Sequence, residues 1–211
     1  MKAFPRMITA AMMLLAGLVP LLAGNPAGRE GSARLSVGIE WGYDATLADI
    51  FHQNYLHPYE GYRIDKKGLK AKFYPNAHAA ASLTFGFAKK YAVGLHAGYS
   101  GIDQGVRHFP LSLRATYFMD SYMTDGQFVF LEGGAGFRDN FQKISPLGRL
   151  GYGYRISLSR RWSLDLSGSL RAVYDHPTIY DQDIRAYIDT EDVRRSDSVY
   201  MAAILSIGLN F

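Results

Sequence analysis

"DSVYMAAILSIGLNF", residues 197–211, is the stretch that decides the fold. Val199, Met201, Ala203, Leu205, Ile207, Leu209 and Phe211 fall on one beat of a two-residue repeat, opposite Ala202, Ser206, Gly208 and Asn210. Side chains leave alternate faces of a β-strand, so this pattern predicts a strand with one apolar face. Strands of about 9 to 13 residues are long enough to cross a bilayer when tilted. Soluble domains commonly finish in a frayed polar tail; this run carries its alternation to a last aromatic residue.

The same beat recurs seven more times. The apolar positions run Leu35–Tyr43, Ala79–Phe87, Tyr91–Tyr99, Phe109–Tyr117, Val129–Phe137, Leu150–Leu158 and Trp162–Tyr174. The run "QFVFLEGGAGF" alternates less cleanly than the others, with Val129, Leu131, Ala135 and Phe137 sharing a face opposite Glu132, Gly134 and Gly136. Eight such segments predict an all-β chain, an eight-stranded antiparallel up-and-down barrel. The second face is mostly glycine, serine and threonine with a few charges, which suits the narrow lumen of so small a barrel. Aromatics gather toward both ends of the apolar face. Trp41, Tyr43, Tyr99, Phe109, Phe137 and Tyr174 lie at one end, and Phe87, Tyr91, Tyr117, Trp162 and Phe211 at the other. Two belts are expected where lipid meets water, so the apolar face is read as outward. A soluble barrel with its apolar face inside is the alternative.

The connections alternate in length. Ala88–Lys90, Met119–Gly126 and Ser159–Arg161 are the shorter links, and Asp44–Asn76 and Asp175–Ser198 the longest. Ser100–His108 and Arg138–Ser145 are intermediate. Short turns on the periplasmic side and longer loops outside are the outer-membrane pattern. At the other end of the chain, Lys2 and Arg6 precede the apolar run "MITAAMMLLAGLVPLLAG". Residues 1–24 therefore read as a secretory signal peptide, and 25–211 as the barrel domain, placed in the cell outer membrane.

Composition excludes several classes. The chain of 211 residues carries a formal charge of +4, and removal of Lys2 and Arg6 with the leader lowers it by two. So slight a balance, without a basic cluster, argues against nucleic acid. The absence of cysteine excludes disulfides, thiolate metal sites and a lipidated anchor. Abundant glycine (22) and tyrosine (15) beside sparse proline (8) favour strands joined by tight turns.

The ending "LSIGLNF" resembles the C-terminal assembly signal of bacterial outer-membrane barrels, in which Leu209 and Phe211 would be read by the barrel-assembly machinery. "GLHAGYSG", "FPLSLRATYF", "LEGGAGF" and "ISPLGRLGYGYRISLSRRWSLDLS" resemble the small outer-membrane barrel domains common in Bacteroidota, of the OmpA/OmpX-like eight-stranded kind. The resemblance runs from about Ala33 to Phe211. It implies a fold and a surrounding of outer-membrane lipid and lipopolysaccharide, and its motifs specify no chemistry.

Three sets of residues are candidates for function. Glu40, Glu132 and Asp165 can neutralise Arg114, Arg149, Arg155 and Arg171 in the lumen, with His96 nearby. Such a set either lines a pore or fills a narrow barrel with paired charges. Phe51, His52, Tyr55, His57, Tyr59 and Tyr62 give the first loop a high aromatic density, suited to recognition of an extracellular ligand or protein, or to packing over the rim. Catalytic sets are weaker. None of the six histidines stands in a His-x-Ser pair, and Ser100, Asp103 and His108 in the second loop are an ordinary loop composition. His52, His57, Asp49 and Glu60 fit no zinc pattern, and Asp181, Asp183, Asp189, Glu191 and Asp192 lack calcium-loop spacing. No metal, cofactor or enzymatic activity is expected. The expected role is structural or surface-interacting, with a narrow solute pore as the alternative and a lipid A-modifying enzyme as the third.

Overall fold

The computed structural model describes residues 34–103, 106–138, 143–159, 161–181 and 185–211. The expected leader at 1–24 and Asp183 lie outside them. Eight long strands are β1 (Arg34–Leu56), β2 (Arg63–Ala88), β3 (Tyr91–Asp103), β4 (Val106–Phe118), β5 (Gly126–Arg138), β6 (Lys143–Ser157), β7 (Ser163–Asp175) and β10 (Val193–Asn210). Two short ones, β8 (Tyr180–Asp181) and β9 (Ala186–Tyr187), pair with each other in the link between β7 and β10. The long strands close into a barrel in the order β1-β10-β7-β6-β5-β4-β3-β2, every pair antiparallel.

Two neighbouring rows across the sheet decide which side is which. Leu131, Leu150 and Leu170 stand directly opposite one another on β5, β6 and β7, and all three are well exposed. One residue along, Arg114, Glu132, Arg149 and Arg171 are opposite one another on β4 to β7, and all are buried or nearly so. The leucines therefore face outward and the charges inward, the reverse of a soluble barrel. In water that exterior would be unstable, whereas in a bilayer it is the natural boundary. The chain is a transmembrane β-barrel.

The aromatic ends behave as interfacial girdles. Phe87 stacks on Tyr91 at 6.2 Å, and Tyr91 meets Tyr117 at 5.2 Å, at the end carrying the short links. Tyr99 meets Phe109 edge-on at 5.9 Å toward the opposite end. Phe211 lies one residue beyond β10, yet its backbone exchanges bonds of 2.9 and 2.8 Å with Val37, and its ring packs on Trp162 at 5.2 Å. The terminal aromatic thus closes the last strand onto the first and joins the girdle.

One expectation fails. The segment read as a loop over Asp44–Asn76 is mostly strand, because β1 runs on to Leu56 and β2 begins at Arg63. A bulge between Thr46 and Ala48 inserts Leu47 and shifts the phase of the alternation. Thr46 and Asp49 are both buried while Leu47 and Ile50 are both exposed, so the inward set passes from even to odd numbers. A strict two-residue pattern stops at such a shift although the ladder continues. β10 begins earlier as well, at Val193, and β3 and β4 lengthen into Ser100–His108.

Candidate functional site

The barrel is filled along its length, in layers set by the inward residues of each strand. At mid-height Glu40 of β1, Arg114 of β4, Glu132 of β5 and Arg149 of β6 form a ring of alternating charge. Arg114 donates to Glu132 at 2.7 Å and meets Glu40 at 2.9 Å. Arg149 donates to Glu40 at 2.8 Å and lies 3.7 Å from Glu132. Ser112 donates to Glu132 at 2.6 Å, and Arg149 donates to Ser169 at 2.7 Å and Ser206 at 3.3 Å. His78 stands 3.4 Å from Glu40. Two acids and two guanidinium groups neutralise one another across the lumen, which removes most of the cost of burying them.

Aromatic rings support this ring of charges. Phe130 points inward beneath the guanidinium groups of Arg114 at 4.2 Å and Arg149 at 5.2 Å. Space for it comes from the neighbouring strand, since a Cβ on Gly151 would come within 2.3 Å of the Phe130 ring. A Cβ on Gly153 would meet Phe128 at 2.4 Å in the same way. The two inward phenylalanines are why the β5 sequence alternates poorly.

The end with short links is stoppered. Tyr122, from the link between β4 and β5, turns into the barrel mouth and packs with Ala92, Phe118, Phe128 and Phe130. Its hydroxyl bonds Ser36 at 2.5 Å, and its carbonyl accepts from Arg155 at 3.0 Å. Arg155 also grips Asp165 through two bonds of 2.7 and 2.6 Å, and Asn210 donates to the same carboxylate at 2.9 Å. Between this stopper and the charge ring lies a cavity of about 40 Å³ bordered by His96, Thr84 and Thr116, room for isolated water and no more.

The opposite end is sealed in turn. Arg171 meets Asp44 at 2.8 Å, donates to the Gly101 carbonyl at 2.7 Å, and bonds Ser100, whose hydroxyl donates to Asp44 at 2.6 Å. Above it Ile102, Leu147, Val173 and Tyr200 make an apolar layer. Lys72 then bridges Asp49 at 3.0 Å and Asp103 at 2.7 Å. Burial acts to lower the pKa of Lys72, and its hydrogen bonds to Asp103 and Asp49 outweigh that and hold it above the ordinary lysine range.

Beyond the seal, β2, β1 and β10 continue as a three-stranded sheet. Tyr55 does not stand out as an exposed aromatic. It is buried with Ile179 and Ile188, with Ile64 and Val193 alongside, and donates to Asp181 at 2.6 Å. That cluster docks the β7–β10 link, including the β8–β9 hairpin, against the sheet. Phe51 and His52 are half-buried on β1, and His52 pairs with Asp65 at 2.9 Å. His57, also buried, opens the tight link to β2 and stacks on Tyr62 at 5.1 Å, with Tyr59 edge-on at 6.2 Å. Gly61 takes a left-handed φ of 69° there. Of the six aromatic candidates, only Tyr59 and Tyr62 are largely exposed.

The structure thus brings together Glu40, Arg114, Glu132 and Arg149, and pairs Arg155 with Asp165. Arg171 takes Asp44, a partner hidden from the sequence because the first strand was expected to end at Tyr43. His96 lies beside the small cavity without a hydrogen bond to its Nδ1 among the described residues. Of the second-loop set, Asp103 binds Lys72 and Ser100 binds Asp44. His108, directly opposite Ser100 and fully buried, makes no hydrogen bond with either ring nitrogen among the described residues. Among the described residues no three histidine, aspartate or glutamate side chains converge as a metal set.

Short links gathered at one end, lengthened strands at the other, and an apolar band between aromatic girdles define the architecture. This is the fold of an outer-membrane β-barrel. Solved structures similar to it include Neisserial surface protein A (NspA), at 12% identity and a TM-score of 0.47, covering 85% of this chain and 97% of that one. Another is the outer membrane protease OmpT from Escherichia coli, at 9% identity and a TM-score of 0.40, covering 89% and 99%. No family model and no curated protein sequence matches the chain.

Proposed function

We propose that the barrel is a sealed membrane anchor whose working part is the sheet and links at its extracellular end, where it binds a partner on or beyond the cell surface. The observation that carries this reading is the continuous filling of the lumen, from Tyr122 through the Glu40–Arg114–Glu132–Arg149 ring to the layer of Ile102, Leu147, Val173 and Tyr200. Filling of this kind supports a lumen closed to ions, while β1, β2 and β10 extend well past what membrane crossing requires. Outer-membrane lipid and lipopolysaccharide would surround the girdles. The barrel-assembly machinery would engage Leu209 and Phe211 before β10 closes on β1.

Conductance of the refolded mature protein in a planar bilayer tests the reading, after heat-modifiable migration has verified folding. A silent barrel is expected. Steady discrete openings would overturn it in favour of a narrow solute pore, and Glu132→Ala would then change the current. Expression should also leave lipid A acylation unchanged, since the Ser100 hydroxyl donates to Asp44 inside the lumen and is not presented to lipid. In the positive arm, cells displaying the protein should lose attachment to a ligand surface when Tyr59 and Tyr62 become alanine.

A further inference from the structure

β2 carries a long unpaired edge. Its partners on the β1 side run from Arg63 to Gly86, but β3 joins it only from His78 onward. Lys72 is tied to Asp103 at the end of β3, so covering of the edge reaches that point. From Arg63 to Ala71 the second side of β2 has no strand partner among the described residues. Every other residue there turns its backbone N–H and C=O away from β1, which makes a template for an added strand.

The side chains on this edge are sorted by face. Ile64, Lys66, Gly68 and Lys70 share the side that holds buried Tyr55, because Ile64 stands opposite Tyr55. Asp65, Lys67, Leu69, Ala71 and Phe73 alternate toward the other side, where Leu69 and Phe73 are 70% and 67% exposed. Lys66, Lys67 and Lys70 make no ion pair among the described residues, whereas the one acid, Asp65, is occupied by His52. A second copy of the chain is a poor occupant. Antiparallel self-pairing centred on Gly68 would set Lys66 against Lys70 twice, and like charges directly opposite each other are destabilising.

We infer that the Arg63–Ala71 edge of β2 receives an extended polypeptide segment in which acidic and apolar residues alternate. The segment adds as a strand, its carboxylates facing Lys66 and Lys70 and its apolar side chains covering Leu69 and Ala71. Main-chain bonds supply affinity, and the two-residue sorting supplies selectivity. This rests on the reading of the extracellular end as the working part, and names its partner by chemistry.

The test uses the full mature protein refolded in zwitterionic nanodiscs and a fluorescent nine-residue peptide alternating glutamate with valine. Saturable anisotropy is expected. Binding should fall at least about tenfold when the peptide's glutamates become lysines, when Lys66→Glu and Lys70→Glu are combined, or when N-methyl groups block one edge of the peptide, and blocking its other edge should leave binding intact. Heat-modifiable migration and thermal unfolding of the double variant identify a folding defect, and the peptide variants remain decisive in that case. Binding that survives N-methylation of either edge alone would reduce the site to a charged surface and overturn strand addition. Absence of peptide binding, with Lys66→Glu/Lys70→Glu weakening attachment to vesicles containing anionic phospholipid, would overturn it in favour of a lipid. Loss of the edge assignment with a silent barrel and Tyr59/Tyr62-dependent attachment would leave the broader reading standing. A conducting barrel without such attachment would remove both.

Discussion

The lumen and the sheet that projects beyond it are built from the same residue types and put them to opposite uses. Inside, arginine, glutamate and aromatic rings are buried, and the charges are matched until little is left over, as in the ring of Glu40, Arg114, Glu132 and Arg149. Outside, Lys66, Lys67 and Lys70 share a strand with Leu69 and Phe73, and none of these lysines makes an ion pair among the described residues. Burial makes an unmatched charge intolerable, so the lumen must neutralise itself, whereas solvent tolerates it. A surface with charge and apolar area left over is one with something to offer a partner.

The largest effect should come from breaking the matched set. Glu40→Ala leaves Arg114 and Arg149 short of a carboxylate in a buried layer, a loss of about 3–5 kcal/mol by the usual cost of stranding a buried charge. Urea unfolding of the refolded protein in vesicles measures it, and a loss below about 1 kcal/mol would show that water reaches the ring freely. Gly151→Val should follow. Its Cβ would overlap Phe130 at 2.3 Å, an overpacking cost of about 1–3 kcal/mol. Gly148→Val, with nothing within 4 Å, is the matched control and should leave unfolding unchanged.

Smaller effects belong to the sheet. Tyr55→Phe removes the hydroxyl that donates to Asp181 and leaves that acid without the bond, at about 1 kcal/mol. Because the bond docks the β7–β10 link, limited proteolysis within residues 176–192 should quicken while global unfolding hardly moves. The smallest belong to the edge itself. Lys66→Glu with Lys70→Glu should shift unfolding by no more than about 0.5 kcal/mol, as surface changes do. A larger loss would mean that these lysines are structural, and would erase the contrast between the two regions.

The strand pattern, the inward and outward faces and the paired lumen charges were legible in the sequence wherever alternation held. It was lost at three kinds of place, each for a physical reason. The bulge at Leu47 moved the inward set from even to odd residues and disguised half of β1 as loop, taking Asp44 out of the lumen inventory. Phe128 and Phe130 broke the apolar pattern of β5 by pointing inward, and only the glycines opposite them, Gly151 and Gly153, hinted at the space they fill. Tyr122 sits in a link, where no periodicity predicts a side chain that folds back into the barrel.

By itself, the sequence determined an inside-out, eight-stranded membrane barrel, because a period-two pattern with apolar residues on one face and small or charged ones on the other admits few other solutions. Only the tertiary structure decided that Glu40 serves two arginines from other strands, that Tyr55 is buried and Tyr59 is not, and that β2 outruns β3. Those facts depend on strand register and on how far neighbouring strands extend. Both are relations between segments distant in the chain, and no local pattern records them.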